Sequence, residues 1–266
     1  PPCPFSIALK FLIKAGLAME KTTDRTTCDP MQEKIRTSGT TILPRNLCCA
    51  ELLCQGATKC PGNVTVRGQA RFSGSAIVCG DFICTALRSE GSFHAMGQLG
   101  AEEIVSSGNF LCDGVLLADS VQSYGSFCAK EAVRAHSITA QGSFCAGGEI
   151  VVKELLKLNM SACVQLGNIT AKTVILEPQR SAKRRLILME RVFAREMAPI
   201  FNVDDIIADT VQLSFAKTGV IRANRVEIGQ NTVVDRVFYS DTLLIDPSST
   251  VKEAHRVSPE DTMEVG

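Results

Sequence analysis

The sequence predicts a parallel β-helix, an all-β solenoid built from a roughly 17-residue repeat. Triplets of Gly, a small polar residue and Phe begin at Gly91, Gly108, Gly125 and Gly142, always at the same spacing. Such a short fixed period is typical of repeats that stack because one repeat cannot bury its apolar face alone. Small or apolar residues also alternate with polar ones at a period of two, which indicates strands and not helices. Short strands joined by tight corners and stacked in register explain these observations.

Residues at equal positions in successive rungs form columns that we expect to face inward. The Phe of each triplet starts one column, and a second column two residues later holds Ala or Cys. These core ladder residues are Phe93, Phe110, Phe127, Phe144, Ala95, Cys112, Ala129 and Ala146. The other inner columns run through Leu99, Leu116, Val133 and Ile150, through Ala101, Ala118 and Ala135, and through Ile104, Val121, Ile138 and Leu155.

The repeat continues, less regularly, on both sides of these four rungs. Residues 74–76 lie one period earlier with Ala in place of Phe, and residues 159–161 lie one period later. After Cys163 the pattern slips by two residues and resumes at Ile169, as a bulged corner would allow. The sequence therefore predicts a main β-helix over residues 40–177.

A different composition follows at residues 178–200, which we interpret as a linker. Its middle has apolar residues at helical spacing between two prolines, so a short helix is one possible structure. Its basic residues are either a solvated linker surface or a contact for phosphate or an anionic membrane surface. They are Arg180, Lys183, Arg184 and Arg185.

Strand-like pieces return over residues 201–257 and predict a second, smaller β-helix segment. The steps from Ala208 to Ala223 and from Val211 to Val226 are equal, and they indicate a looser, 15-residue period. The tail at 258–266 is acidic and polar, and we expect it to be disordered.

Residues 1–39 are interpreted as an N-terminal arm, disordered or in part untranslated, because the first methionine is Met19. Residues 5–17 are apolar but are interrupted by Lys10 and Lys14, and they are shorter than the ~20 residues of a membrane span. Two interpretations stay open: sequence upstream of a start at Met19, or an amphipathic arm that contacts a membrane.

The composition favours thin, repetitive packing over one large globular core. The chain has 45% hydrophobic residues and 20 Gly, but only two Tyr and no Trp. Its 28 basic and 28 acidic residues cancel, so nothing global indicates a nucleic-acid partner.

Twelve cysteines raise the question of disulfides or metal, but no Cys-x-x-Cys occurs and no His lies at zinc-ligand spacing from the available pairs. We expect Cys112 and Cys163 to replace Ala in an inner column, and Cys128 and Cys145 to be neighbours on an outward column. Many unpaired thiols indicate a reducing cytoplasm. The best metal candidates, although without a recognised spacing, are Cys48, Cys49, Cys54 and Cys60.

No catalytic constellation is apparent, and we predict neither an enzyme nor a cofactor. The three histidines, His94, His136 and His255, accompany no nucleophile motif. The paired carboxylates at 102–103 and 204–205 are interpreted as solvated corners or strand ends.

The Gly-Ser-Phe-x-Ala rungs, as at residues 125–129, resemble those of the bactofilins, a family of polymer-forming bacterial cytoskeletal proteins. Residues 206–213 and 220–229 resemble the C-terminal half of two-part members from Gram-positive bacteria. Together these likenesses cover about residues 40–257.

The resemblance implies a right-handed β-helix that polymerises end to end into filaments without nucleotide. It also implies a cytoplasmic protein that contacts the inner face of the cell membrane and recruits cell-envelope proteins. Two alternatives remain open. One is a non-polymerising scaffold, and the other is a β-helix enzyme such as an acyltransferase.

Overall fold

The computed structural model describes residues 32–179 and 200–258, which form one parallel sheet of 14 strands. No helix occurs within these two ranges. The prediction of an all-β parallel solenoid with a 17-residue repeat is confirmed, since Gly91 pairs with Gly108 and Gly108 with Gly125. The strands are β1 (Gln32–Ile42), β2 (Leu47–Cys60), β3 (Val64–Val78), β4 (Phe82–Ala95), β5 (Leu99–Cys112), β6 (Leu116–Ala129), β7 (Val133–Ala146), β8 (Ile150–Met160), β9 (Val164–Leu166), β10 (Ile169–Pro178), β11 (Phe201–Leu213), β12 (Ala216–Ile228), β13 (Val233–Ile245) and β14 (Thr250–Arg256).

Each full rung has three short straight segments separated by corners. In β5 the first and last residue of each segment is buried and the middle one faces outward. We name the segments by their residues in β5: side 1 (99–101), side 2 (104–106) and side 3 (110–112), and we use these names for the paired positions of every rung. Alternation within each segment follows from the strand period of two, whereas a corner breaks it.

Contacts between rings show that the three sides enclose one interior. Phe82 of side 1, Phe72 of side 2 and Phe93 of side 3 are in mutual contact. Their ring centroids are 5.9 Å apart for Phe72 and Phe82, 5.2 Å for Phe72 and Phe93, and 5.6 Å for Phe82 and Phe93. The coil therefore closes around a core made from all three sides.

Glycine at the corner between sides 2 and 3 explains the spacing that is visible in the sequence. Gly108 has φ of 117°, in the region that side chains disfavour, and a Cβ added there would lie 2.3 Å from the Gly91 carbonyl oxygen. Seven successive rungs have a Gly with positive φ at this corner, from Gly39 to Gly142. In the rungs from Gly56 to Gly142, the backbones at this corner therefore stack too closely for a Cβ.

The 17-residue register ends in β8, where one extra residue is accommodated. Ile138 pairs with Leu156, and Gly142 pairs with Met160, after a register shift beyond Ala135. Leu156 is fully buried and Leu155 is only partly buried. The assignment of Leu155 to the inner column was therefore wrong by one residue, because the preceding corner is longer.

A net slip of two residues is present at Ile169, since Val133 pairs with Ile150 but Ile150 pairs with Ile169, although one of the two extra residues is already inserted in β8, before Cys163. The corner that contains Cys163 is exposed and is longer than in the rungs before it. Cys163 is thus exposed, and its assignment to the inner column was wrong. The short strand β9 provides side 3 of this rung instead.

Strands on either side of residues 180–199 belong to the same ladder. Strand β11 pairs with β10 through Ile206 opposite Ile169, and with β9 through Phe201 opposite Val164. Strand β10 thus ends on side 2, and β11 begins on side 3 of the same rung. The 15-residue steps are confirmed by the pairs Ala208–Ala223 and Val211–Val226.

The ladder already includes residues 32–39, which the sequence had assigned to an arm. The rest of that arm, most of the linker with its possible helix, and the tail from 259 lie outside the described residues.

Candidate functional site

The core ladder residues named from the sequence lie on side 3 and are all buried. Stacking is closest between Phe110 and Phe127, whose ring centroids are 4.8 Å apart with 1° between the ring planes. Phe144 stacks on Phe127 at 5.3 Å, and Phe93 stacks on Phe110 at the same distance. These buried residues are Phe93, Phe110, Phe127, Phe144, Ala95, Cys112, Ala129 and Ala146.

A second column, on side 2, compensates for the size of the Phe column and was missed from the sequence. It holds Ser89, Ser106, Ser123 and Ala140 in the four rungs whose side 3 begins with Phe. In β3 the order is reversed, because side 2 has Phe72 and side 3 has Ala76. Each of these rungs therefore has one large and one small residue at the two positions, and the signal was a small residue four positions before each Phe.

The serines of this column contribute small size and not hydrogen bonds. The hydroxyl oxygens of Ser89, Ser106 and Ser123 are buried and have no hydrogen-bond partner in the part of the chain that the structure describes. An unpaired buried hydroxyl costs about 1–3 kcal/mol. We infer that small size is what this column requires, because a larger side chain would collide with the Phe rings, and that serine is tolerated despite its unpaired hydroxyl.

The cysteines proposed as a metal cluster do not form one. Among residues 32–179 and 200–258, no group of three or more His, Cys, Asp or Glu side chains is arranged to hold a metal ion. Burial raises the pKa of Cys49 to about 11 and that of Cys60 to about 12, whereas metal binding requires thiolates. These two cysteines, together with buried Cys54, act as small apolar residues.

The most organised charged group on the surface joins three successive rungs around Asp113. Its carboxylate lies 2.9 Å from His94 Nε2 and forms an ion pair with Lys130, with 2.8 Å between Oδ1 and Nζ. The Lys130 contact is the main reason why the pKa of Asp113 is lowered, and His94 adds to it. The group bridges β4, β5 and the corner after β6, and therefore holds neighbouring rungs together.

The paired carboxylates and the remaining two histidines lie at structural or surface positions. Asp205 Oδ1 accepts the Val220 N–H at 3.0 Å, and the Asp204 carbonyl accepts the Thr218 hydroxyl at 3.3 Å. The ring of His255 stacks on Phe238 at 5.4 Å between centroids. Residues 102–103 and His136 lie at corners or beside them, on the outside of the rungs.

Strand β14 covers only part of the last full rung. It provides sides 3 and 1, so the side 2 residues of β13 have no described strand over them. Ile245 is 45% exposed and Leu244 is 59% exposed, although Ile245 belongs to an inner column. The C-terminal end of the ladder thus presents an apolar side 2.

The first described rung presents the matching positions at the opposite end. Ile35 and Thr37 lie on side 2 of β1 and pair with Leu52 and Cys54 of β2. Both are partly exposed, because β2 covers them from one direction only within the described residues.

Two predicted surfaces cannot be placed, because they lie outside the described residues. They are the basic group of Arg180, Lys183, Arg184 and Arg185, and the apolar segment at 5–17. In the described part of the chain, no helix could span a bilayer.

Comparisons of this chain with protein-family models, curated proteins and solved structures find no match.

Proposed function

We propose that this chain is a bactofilin-like structural protein that assembles end to end into filaments without nucleotide. The observation that supports this most directly is the apolar side 2 of β13, which β14 leaves uncovered. An exposed strand edge is a template for another strand, and adding one also satisfies backbone N–H and C=O groups.

The two ends of the ladder present residues of the same inner columns, as a head-to-tail contact between two copies requires. Ile35 and Leu243 belong to the same inner column, which runs through every rung between them. Strand β14 ends at Arg256 on side 1, and β1 passes from Gln32, which shares that column, onto side 2, so the side 2 residues of a second copy would cover side 2 of β13 if Gln32 yields its place to Arg256. Its Ile35 would then stack over Leu243, and its Thr37 over Ile245.

This join also explains why assembly would give filaments and not closed rings. The contact is heterologous, since one end of the solenoid meets the other end of the next copy. Repeating it along the solenoid axis gives an open helical array. Each added copy would extend the Phe, Ala and Ile/Val columns with the ~4.8 Å spacing of neighbouring strands.

The resemblance adds expectations that belong to the same proposal. We expect a right-handed coil, a cytoplasmic location that includes the inner face of the membrane, and recruitment of cell-envelope proteins. The membrane contact would use the apolar segment at 5–17 or the basic residues 180–185. No cofactor, metal or nucleic acid is part of this proposal.

One observation favours the alternative of a scaffold that does not polymerise. The terminal strand β14 has Lys252, Glu253, His255 and Arg256, all exposed. Charged residues on an edge strand oppose edge-to-edge pairing. No such observation in the described residues favours a β-helix enzyme.

Electron microscopy of the purified full chain, in reducing buffer without nucleotide or metal, tests the proposal. We expect unbranched filaments, a few nanometres wide by analogy with the ~10 Å spacing of packed sheets, that sediment on centrifugation. Discrete short rods that stay in the supernatant at every protein concentration and ionic strength would refute assembly and support the scaffold.

A further inference from the structure

Two cysteines lie directly opposite each other on the outer surface of side 3. Cys128 of β6 pairs in register with Cys145 of β7. Cys145 is exposed and Cys128 is partly buried, and both are free thiols. Their side chains are in hydrogen-bonding contact, which contributes to the raised pKa of Cys128. Both thiols therefore lie together where a small molecule in solution can reach them.

The strand geometry suits a bond between these two sulfurs. Paired strands are about 4.8 Å apart, so the two Cα atoms lie within the roughly 4.4–6.8 Å that disulfides span. The side chains also point in the same direction, because both are the middle residue of side 3.

We propose that Cys128 and Cys145 form a reversible disulfide that links two neighbouring rungs when the protein meets a thiol oxidant such as glutathione disulfide. The exposed Cys145 thiolate attacks one sulfur of glutathione disulfide, which forms a mixed disulfide and releases one glutathione. Cys128, as its thiolate, then attacks the Cys145 sulfur and displaces the second glutathione. Two protein thiols are thus oxidised by two electrons, and one glutathione disulfide is reduced to two glutathione molecules.

The position of the pair indicates a labile bond and not a permanent structural one. Stacked Cβ atoms in parallel strands must approach to about 3.8 Å for an unstrained disulfide, so the rungs must tighten locally. Strained and exposed disulfides are the ones that are readily reduced. The link would join β6 to β7 across the ladder and would resist separation of these rungs.

Neighbouring groups affect the second step of this reaction by changing the pKa of Cys128. Burial raises the pKa of Cys128 to about 11, with a smaller effect from the Cys145 contact. Lys130 opposes this rise and Asp113 adds to it. Cys128 is therefore a slow nucleophile at neutral pH by itself, and its reaction depends on Cys145 being held in contact.

The test uses the full chain, treated with increasing ratios of glutathione disulfide to glutathione and then blocked with N-ethylmaleimide. Trypsin cleaves after Lys130 and Arg134, between the two cysteines, so mass spectrometry detects a disulfide as two linked peptides. We expect this linked pair to appear as the ratio rises and to disappear with dithiothreitol. Cys163 is a matched control, because it is exposed but has no cysteine opposite it among residues 32–179 and 200–258, and we expect it to be only glutathionylated.

Cys128→Ser and Cys145→Ser should each abolish the linked peptides. The proposal is overturned if Cys128 and Cys145 carry only separate adducts under conditions that modify Cys163. It is also overturned if a mixture of isotopically heavy and light chains gives heavy–light linked peptides, because the bond would then join two molecules.

Discussion

The ring of Phe72 packs against the ring of Phe93 with 5.2 Å between centroids, although the two residues lie on different sides of successive rungs. Phe72 occupies on side 2 the position that Ser89 occupies in the next rung, and Ala76 occupies on side 3 the position of Phe93. Sides 2 and 3 therefore share one volume, which each of the rungs β3 to β7 fills with one large and one small residue.

The shared volume predicts a compensating pair of substitutions. Phe93→Ala alone should destabilise the protein by about 3–5 kcal/mol, because it leaves a cavity. Ser89→Phe alone should also destabilise it, by about 1–3 kcal/mol, because the interior is already filled. The double variant repeats the arrangement of β3, so its loss in urea unfolding should be smaller than the sum of the two. Strictly additive losses would show that sides 2 and 3 pack independently.

The corner glycines predict that two Gly→Ala variants of strand β5 differ clearly in their free energy of unfolding. Gly108→Ala should cost at least about 1–3 kcal/mol, since φ is 117° and the new Cβ would meet the Gly91 carbonyl oxygen. Gly100→Ala is the control, because its nearest neighbour would be 3.9 Å away. Chemical unfolding of both variants measures the difference, and equal stabilities would contradict the close stacking of the corner.

Cys112 is predicted to be a space-filling residue without chemistry of its own. Its neighbours in the column are Ala95 and Ala129, so Cys112→Ala should cost less than about 1.5 kcal/mol, as nearly volume-conserving replacements do. Burial raises its pKa to about 12, so its thiol should resist iodoacetamide in the native protein and react in urea. Exposed Cys163 should react in both states, and labelling of native Cys112 at the same rate would disprove its burial.

Filament formation should depend on the apolar end of the ladder. Ile245→Glu places a charge where the next copy would stack, so it should abolish sedimentation while the circular dichroism melt stays near that of the parent. Ile77→Glu is a matched control, because Ile77 is similarly exposed but lies on an outward column within the ladder. Filaments that survive Ile245→Glu would place the assembly contact elsewhere.

From the lowered pKa of Asp113 we predict that the stability of the protein depends weakly on pH in the acid range. Its pKa is lowered in the folded protein, mainly by Lys130, so its stabilising contribution is present above the unfolded value of about 3.8. That contribution is lost as the pH falls through the folded pKa. Lys130→Met should therefore raise the pH at which acid unfolding begins. Lys157→Met, on side 2, is the control and should leave the pH of acid unfolding unchanged. Equal shifts of this pH in both variants would show that only the net charge matters.

Errors in the sequence interpretation arise at corners and not within sides. Leu155 and Leu156 are equally apolar, so the pattern could not show which of them follows a corner that is one residue longer. Cys163 is small and sits at the expected spacing, but a longer corner placed it outside. Corner length changes the register without changing the composition, and only the pairing of strands reveals it.

The sequence by itself determined the all-β class, the 17-residue period and most inner columns, because inward and outward positions follow from the local alternation along a strand. Only the tertiary structure decided that Phe72, Phe82 and Phe93 share one interior, and that β11 continues the ladder after residues 180–199. The physical reason is that closure and continuity depend on contacts between residues far apart in the chain, and these contacts leave no period in the sequence.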